Sequence, residues 1–228
     1  MKPFLAFVGQ LLKDQVAVRF LIFLLVVDLG FFALHFLRYA SVIKGYDYSI
    51  EADGGYAEIF QYLKEIGSAV LLIGIYLKKR DIAFWIWILM FSYLFLDDSL
   101  RLHEYFGDVL VEFFNIQPAL GLRADDFGEM LTVLLIGLVF LPVIIWAYLH
   151  ASANFQLISK HLLAFICLLF VLGVVVDMFH SLFRSHGKIA FLLSVVEDGG
   201  EMIVMTAIIS YLFWLYRNNG KINCRDSK

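Results

Sequence analysis

Six mostly apolar stretches, at about 16–39, 56–77, 82–104, 127–150, 161–183 and 189–216, take up most of the 228-residue chain. Each approaches or exceeds the ~20 residues that carry a helix, at 1.5 Å rise per residue, across ~30 Å of hydrocarbon. In lipid only helices and closed barrels satisfy every backbone polar group, and the period-two alternation of barrel strands is absent. The expectation is therefore all-α: a polytopic integral membrane protein with six transmembrane helices in a single domain over 1–228. Composition agrees, with 61% hydrophobic and 17% charged residues, against ~25% charged in an average soluble domain. A net charge of −3 supplies no basic face for phosphates and excludes nucleic acid as a partner. Membrane lipids are the expected surroundings.

Lys and Arg in the loops set the orientation. Lys2, Lys13, Arg19, the compact Lys78-Lys79-Arg80 loop, Lys160, Arg217, Lys221, Arg225 and Lys228 all fall on one side. That side is expected to be cytoplasmic, with both termini inside, as in a bacterial inner-membrane protein. The first span is longer than a signal-peptide core and lacks a small-x-small cleavage site, so no cleaved leader is expected. The stretch 2–14 is amphipathic and suits an interfacial lead-in helix, and 217–228 suits a cytoplasmic tail. Trp85, Trp87, Trp146 and Trp214 lie near the cytoplasmic ends, where interface anchors are expected. Cys167 and Cys224 have no partner at disulfide or metal-ligand spacing.

The acids are distributed the other way. Only Asp14, Asp81 and Asp226, of 21 Asp and Glu, fall on the basic side. Several of the rest, including Asp28, Glu65, Asp97, Asp177, Glu197 and Glu201, fall inside apolar segments. A charge at the centre of a membrane helix costs about 2.5–3.5 kcal/mol on insertion scales. Such groups must face the bundle interior and be protonated, paired, hydrated or bound to a cation.

Helical spacing gathers these acids into stripes. Asp97, Arg101, Glu104 and Asp108 recur at i, i+4, i+7 and i+11, which predicts one continuous face. Asp177, His180, Ser181 and Arg184 form a second face, and Asp28, His35 and Arg38 a third. Glu58, Tyr62 and Glu65 line another span, Asp125, Asp126 and Glu129 open the next, and Glu197, Asp198 and Glu201 lie on the last. Neighbouring spans run in opposite directions, so all six stripes are expected at one depth, in one polar site. The segments Asp125-Asp126-Phe127-Gly128-Glu129-Met130 and Glu197-Asp198-Gly199-Gly200-Glu201-Met202 share the pattern acid-Asp-x-Gly-Glu-Met. Three duplicated helical hairpins would produce that similarity, and so would chance among apolar helices.

Asp177-x-x-His180 puts a carboxylate and an imidazole on one face, as in carboxylate-bridged di-metal bundles. With acids from other spans it forms an oxygen-rich site suited to zinc, iron or manganese. The expected metal ligands are Asp97, Glu104, Asp177, His180, Glu197 and Glu201. Asp28, His35, Glu65, Asp98, Arg101, His103, Glu129, Arg184 and Asp198 are expected to support that polar site. The competing reading is pairing within the helix, His180 and Arg184 neutralising Asp177, while Arg38, Arg101 and Arg184 make the other acids tolerable. His103-Glu104 lacks the second His of a zinc-protease signature. There is also no nucleophile elbow.

The stretches Leu96-Asp97-Asp98…Leu102-His103-Glu104 and Val196-Glu197-Asp198-Gly199-Gly200-Glu201-Met202 resemble those of a broad set of bacterial multi-span membrane proteins of unassigned function. Their pattern is Asp-[Asp/Glu]…His-Glu in one helix and Glu-[Glu/Asp]-Gly-x-Glu in the last. The resemblance covers mainly the third to sixth spans. It implies that Asp97, Asp98, His103, Glu104, Glu197, Asp198 and Glu201 act as a set, and it implies no activity.

Three functions suit such a site: a metal-dependent enzyme acting on a lipid-like substrate, a proton- or cation-coupled transporter or channel, and a membrane sensor or assembly partner. The almost wholly apolar spans on the cytoplasmic side disfavour a continuous pore.

Overall fold

The computed structural model describes residues 9–222. Residues 2–8 of the lead-in segment and 223–228 of the tail, including Cys224, lie outside the described residues. The described chain is helical and forms no strand, only an isolated bridge between Ala119 and Leu122. Its main helices are α1 (Gln15–Tyr39), α2 (Tyr56–Lys79), α3 (Phe84–Leu100), α4 (Leu102–Phe114), α5 (Ala124–His150), α6 (Ala153–Phe183) and α7 (Gly187–Arg217). Four of them, α1, α2, α5 and α6, are long and apolar enough to cross a membrane.

Local chemistry fixes the helix ends. Asp14 accepts hydrogen bonds from the Val16 and Ala17 N–H groups and so caps α1, satisfying donors that have no partner inside the helix. Ser152 does the same for α6 through Phe155. Arg123 and Asp126 form a reciprocal capping box that opens α5. Arg80 closes α2 in the left-handed region, one residue after Lys78 and Lys79 complement the negative end of its dipole.

The third expected span, 82–104, is not one helix. α3 stops at Leu100, and Arg101, at φ 52° and ψ 47°, turns the chain into α4. Asp97 and Asp98 sit in the last turn of α3, and the Arg101 N–H donates to the Asp97 carbonyl, an αL cap that closes the helix. The continuous stripe from Asp97 to Asp108 is therefore broken at Arg101. α4 is a separate short helix, and it packs tightly on α5. A Cβ on Gly128 would lie 2.5 Å from the Gly107 carbonyl oxygen, so both glycines are required for that crossing.

α7 is the central helix, with α2 and α1 packed along it. Gly67 and Gly74 on α2 let it approach α7 closely, since a Cβ there would lie 2.9 Å from Ile209 and 2.7 Å from Tyr216 respectively. Small residues at interfaces suit a bundle in lipid, where packing replaces the hydrophobic effect as the cohesive force. The half of the bundle nearer the Lys/Arg-rich loops (the basic end) is solid. Leu72, Phe91, Phe155, Ile208 and Leu212 are buried there, together with Trp87 and Trp214. Those two tryptophans are core residues, not interface anchors. The Trp87 indole donates to Ser159 Oγ at 2.8 Å, while Trp85 and Trp146 remain exposed. Asp14 and Arg217 pair at 3.1 Å and tie α1 to the end of α7.

Candidate functional site

The opposite, acidic end is hollow. A cavity of 1330 Å³ opens there, and every helix except α1 contributes to its wall. From α2 come Glu58, Gln61 and Glu65; from α3, Tyr93, Asp97 and Asp98; from α4, His103, Glu104 and Asp108. α5 adds Asp125, Asp126 and Glu129, α6 adds Asp177, His180 and Arg184, and α7 adds Glu197, Asp198 and Glu201.

One wall of this cavity gathers ligand atoms. Asp97, Asp98 and His103 each offer one atom in a group whose members lie within 4.8 Å of one another. The turn at Arg101 brings this group together, swinging His103 back so that its Nδ1 lies 3.3 Å from Asp97 Oδ2. The Tyr93 hydroxyl donates to the other Asp97 oxygen at 3.0 Å. From α2, the Tyr62 hydroxyl donates to the Asp98 carbonyl, and the Glu65 carboxyl meets the Asp98 carboxyl within hydrogen-bonding reach. Two carboxyl groups so placed need a proton or a cation between them, because like charges that close repel. Glu65 Oε2 and Gln61 Oε1 are buried and have no hydrogen-bond partner. An unmade hydrogen bond at a buried carboxyl oxygen costs about 1–3 kcal/mol or more.

The facing wall holds a second grouping. His180 Nδ1 lies 2.6 Å from Glu197 Oε2, and the Asp177 carboxyl meets the Glu197 carboxyl within hydrogen-bonding reach. His180 thus reaches across to α7 while it and Arg184 stay within electrostatic reach of Asp177 on their own helix, and Ser181 donates to Asp126. Glu201 lies between the two walls, within electrostatic reach of Asp98, His103, Asp177 and Asp198. Its carboxyl rests directly over Gly173. Gly173 belongs to a π-helical stretch, Val171–Val176, within α6. A side chain at Gly173 would displace Glu201.

Two residues expected at the site lie elsewhere. Asp28 is fully buried beneath the cavity and paired with Lys64 at 3.1 Å. His35 bonds Ser49 at 3.0 Å and stacks on Phe191. Both are on α1, which does not reach the cavity because α2 and α7 stand in between. Glu104 and Arg101 do line the cavity, but at its rim: Arg101 pairs with Asp53 at 3.2 Å and approaches Glu104 at 3.8 Å. Arg123 holds Asp126 at 2.7 Å. Three side chains were not anticipated. Lys64 is a charged residue in an apolar span, a signal the sequence did contain. Gln61 and Tyr93 are polar groups one turn from named acids, and only the helix rotation reveals that they face the same space.

Residues 65–215 match the family described as a domain of unknown function (DUF8692). The chain belongs to this family. The matched segment begins at Glu65 and takes in the ligand cluster, the His180–Glu197 pair and Glu201; Glu58 and Gln61 precede it. No curated protein and no solved structure matches the chain.

Proposed function

We propose that this protein is a six-span membrane protein, basic end in the cytoplasm, that binds a divalent cation at Asp97, Asp98, His103 and Glu65. We further propose that it uses the cation to hydrolyse a lipid-like substrate. The observation that carries the proposal is the pair of buried, unpartnered oxygens, Glu65 Oε2 and Gln61 Oε1, beside a cluster of three ligand groups. A cation there would satisfy both oxygens and the facing carboxylates together. The donor set, oxygen-rich with one imidazole, suits zinc, iron or manganese. Asp177, His180 and Glu197 form the opposite wall, with Glu201 between the two.

A cation held by Asp97, Asp98, His103 and Glu65 would polarise an ester or phosphoryl oxygen and acidify a bound water. Glu201 or Glu129, carboxylates on the same cavity, would take the proton of the attacking water and return it to the leaving oxygen as the bond to the leaving group breaks. Transport of the cation is the less favoured reading. Below the cavity the Lys64–Asp28 pair closes the floor, and Trp87, Leu72 and Ile208 pack among the buried side chains towards the basic end.

Metal analysis of the purified protein after equilibration with zinc, iron(II) or manganese tests the proposal. Close to one ion per chain is expected, and the Asp98→Asn and His103→Ala variants should lose it while remaining folded. A folded wild-type protein that retains none of the three metals overturns the proposal. Metal-dependent cation flux in proteoliposomes, lost in the same variants, would replace it with transport.

A further inference from the structure

The cavity is much larger than an ion and its waters require, and its shape says what else it admits. Below Glu129 its lining turns apolar. Met130, Val133, Gly137 and Leu141 on α5 line it together with Ile166 and Phe170 on α6 and Met90 and Leu94 of α3. From Glu129 to Leu141 is three turns of helix, ~18 Å at 1.5 Å per residue. One leaflet of a ~30 Å hydrocarbon core is ~15 Å deep. The apolar arm therefore matches the length of a single lipid chain.

The arm is also open sideways. α5 is held to the bundle mainly by α4, through the Gly107–Gly128 crossing, and only sparsely touches α3 and α6. Leu134, Leu138 and Leu141 line the cavity and yet are 44%, 69% and 45% exposed. Gly137 sits in the middle of this wall, in a helix interior where glycine costs roughly 1 kcal/mol relative to alanine. A Cβ built on Gly137 meets nothing within 4 Å. No neighbouring helix requires that glycine, and it leaves open space beside the arm.

We infer that the apolar arm between α5 and α6 takes one acyl chain of a membrane lipid, entering laterally, with the lipid's polar group at the acidic wall. The inference rests on the metal site proposed above, which supplies the reason for a polar group to stop at that depth. At the level of α5 and α6 in a bilayer the surrounding solvent is lipid, so an acyl chain is the occupant already present at the opening.

The test uses full-length protein in nanodiscs of phosphatidylethanolamine and phosphatidylglycerol doped with a phospholipid carrying a diazirine near the end of its acyl chain. After irradiation, adducts are mapped by peptide mass spectrometry. Adducts are expected at the recessed Phe140 and Ile166, in excess over the lipid-facing Phe23 and Val26. Gly137→Trp fills the arm and should cut the Phe140 and Ile166 adducts roughly tenfold, about 1.4 kcal/mol or the loss of contact with one or two methylenes. Adducts at Phe23 should not change, and Gly137→Ala should retain the wild-type pattern. Labelling at Phe140 and Ile166 no stronger than at Phe23, or unaffected by Gly137→Trp, overturns the inference. Metal content measured on the same samples separates the two proposals. A labelled arm without metal overturns the metal site alone, and bound metal with an unlabelled arm overturns the lipid arm alone.

Discussion

Two carboxylates a few residues apart in space show how differently one bundle treats buried charge. Asp28 is 0% exposed and has every need met: Lys64 Nζ at 3.1 Å and the Thr206 hydroxyl at 2.6 Å. Lys64 in turn donates to the Met202 carbonyl at 2.7 Å and approaches Thr206 at 3.4 Å. Glu65, the next residue along α2, is 2% exposed and keeps an oxygen with no partner. The first arrangement is closed and ties α1, α2 and α7 together. The second is incomplete, on the wall of a cavity. The satisfied charge under the site is architecture, and the unpartnered oxygen on the cavity wall is the feature on which the proposed cation site rests.

The strongest way to break this contrast is Lys64→Met. Removing one partner of a buried pair leaves the other charge uncompensated and costs about 3–5 kcal/mol, so the variant should unfold far earlier in a denaturant titration in detergent. Adding Asp28→Leu should recover most of that loss. A single and a double variant of equal stability would show that Asp28 was not a buried charge needing Lys64. Gly128→Leu is expected to be intermediate. Overpacking at the α4–α5 crossing costs about 1–3 kcal/mol, and because α4 carries His103 the same variant should lose metal, unlike Lys64→Met/Asp28→Leu.

Glu65→Gln sharpens the comparison from the other side. The fold should tolerate it within about 1 kcal/mol, since an amide relieves the facing Asp98 carboxyl of a like charge. Metal affinity should fall at least about tenfold, read by competition with a chelating dye. Substantial unfolding with metal affinity intact would make Glu65 a structural acid like Asp28.

The smallest effect is at Asp14, a carboxylate at the water boundary. Burial pushes its pKa up, but the Arg217 guanidinium and the Ala17 and Val16 N–H groups together outweigh it and hold the pKa below the ordinary 3.8. A lowered folded-state pKa means that the stabilisation is complete above the unfolded value and is lost as pH falls through the folded one. Asp14→Ala should therefore cost about 1 kcal/mol at neutral pH, a typical N-cap loss. The difference from wild type should shrink in thermal unfolding as pH falls below 3.8 and through the lowered folded-state value.

The sequence announced the helical class and the crowding of acids at one end, because apolar length and charge placement are properties of the chain itself. It could not announce the break at Arg101. A left-handed residue leaves no mark in hydropathy, so Asp97 to Asp108 read as one stripe. The turn reverses that reading, setting His103 against Asp97 and Glu104 at the rim. His35 illustrates the same gap: its helical spacing from Asp28 is correct, but the face they share on α1 points at Ser49, Lys64 and Phe191 and away from the cavity.

The π-helical stretch Val171–Val176 has a consequence of its own. A π turn accommodates one residue more than the surrounding α-helix, so everything after it is rotated in phase relative to Ile166 and Leu169. Each residue is ~100° of helix rotation. Asp177, His180 and Arg184 face the cavity only in the phase this extra residue sets. Deleting Val175 should restore a regular α-helix and turn those side chains by about 100° towards lipid. The aim of half the site is thus set by the length of the chain between Phe170 and Asp177, independently of which residues fill it.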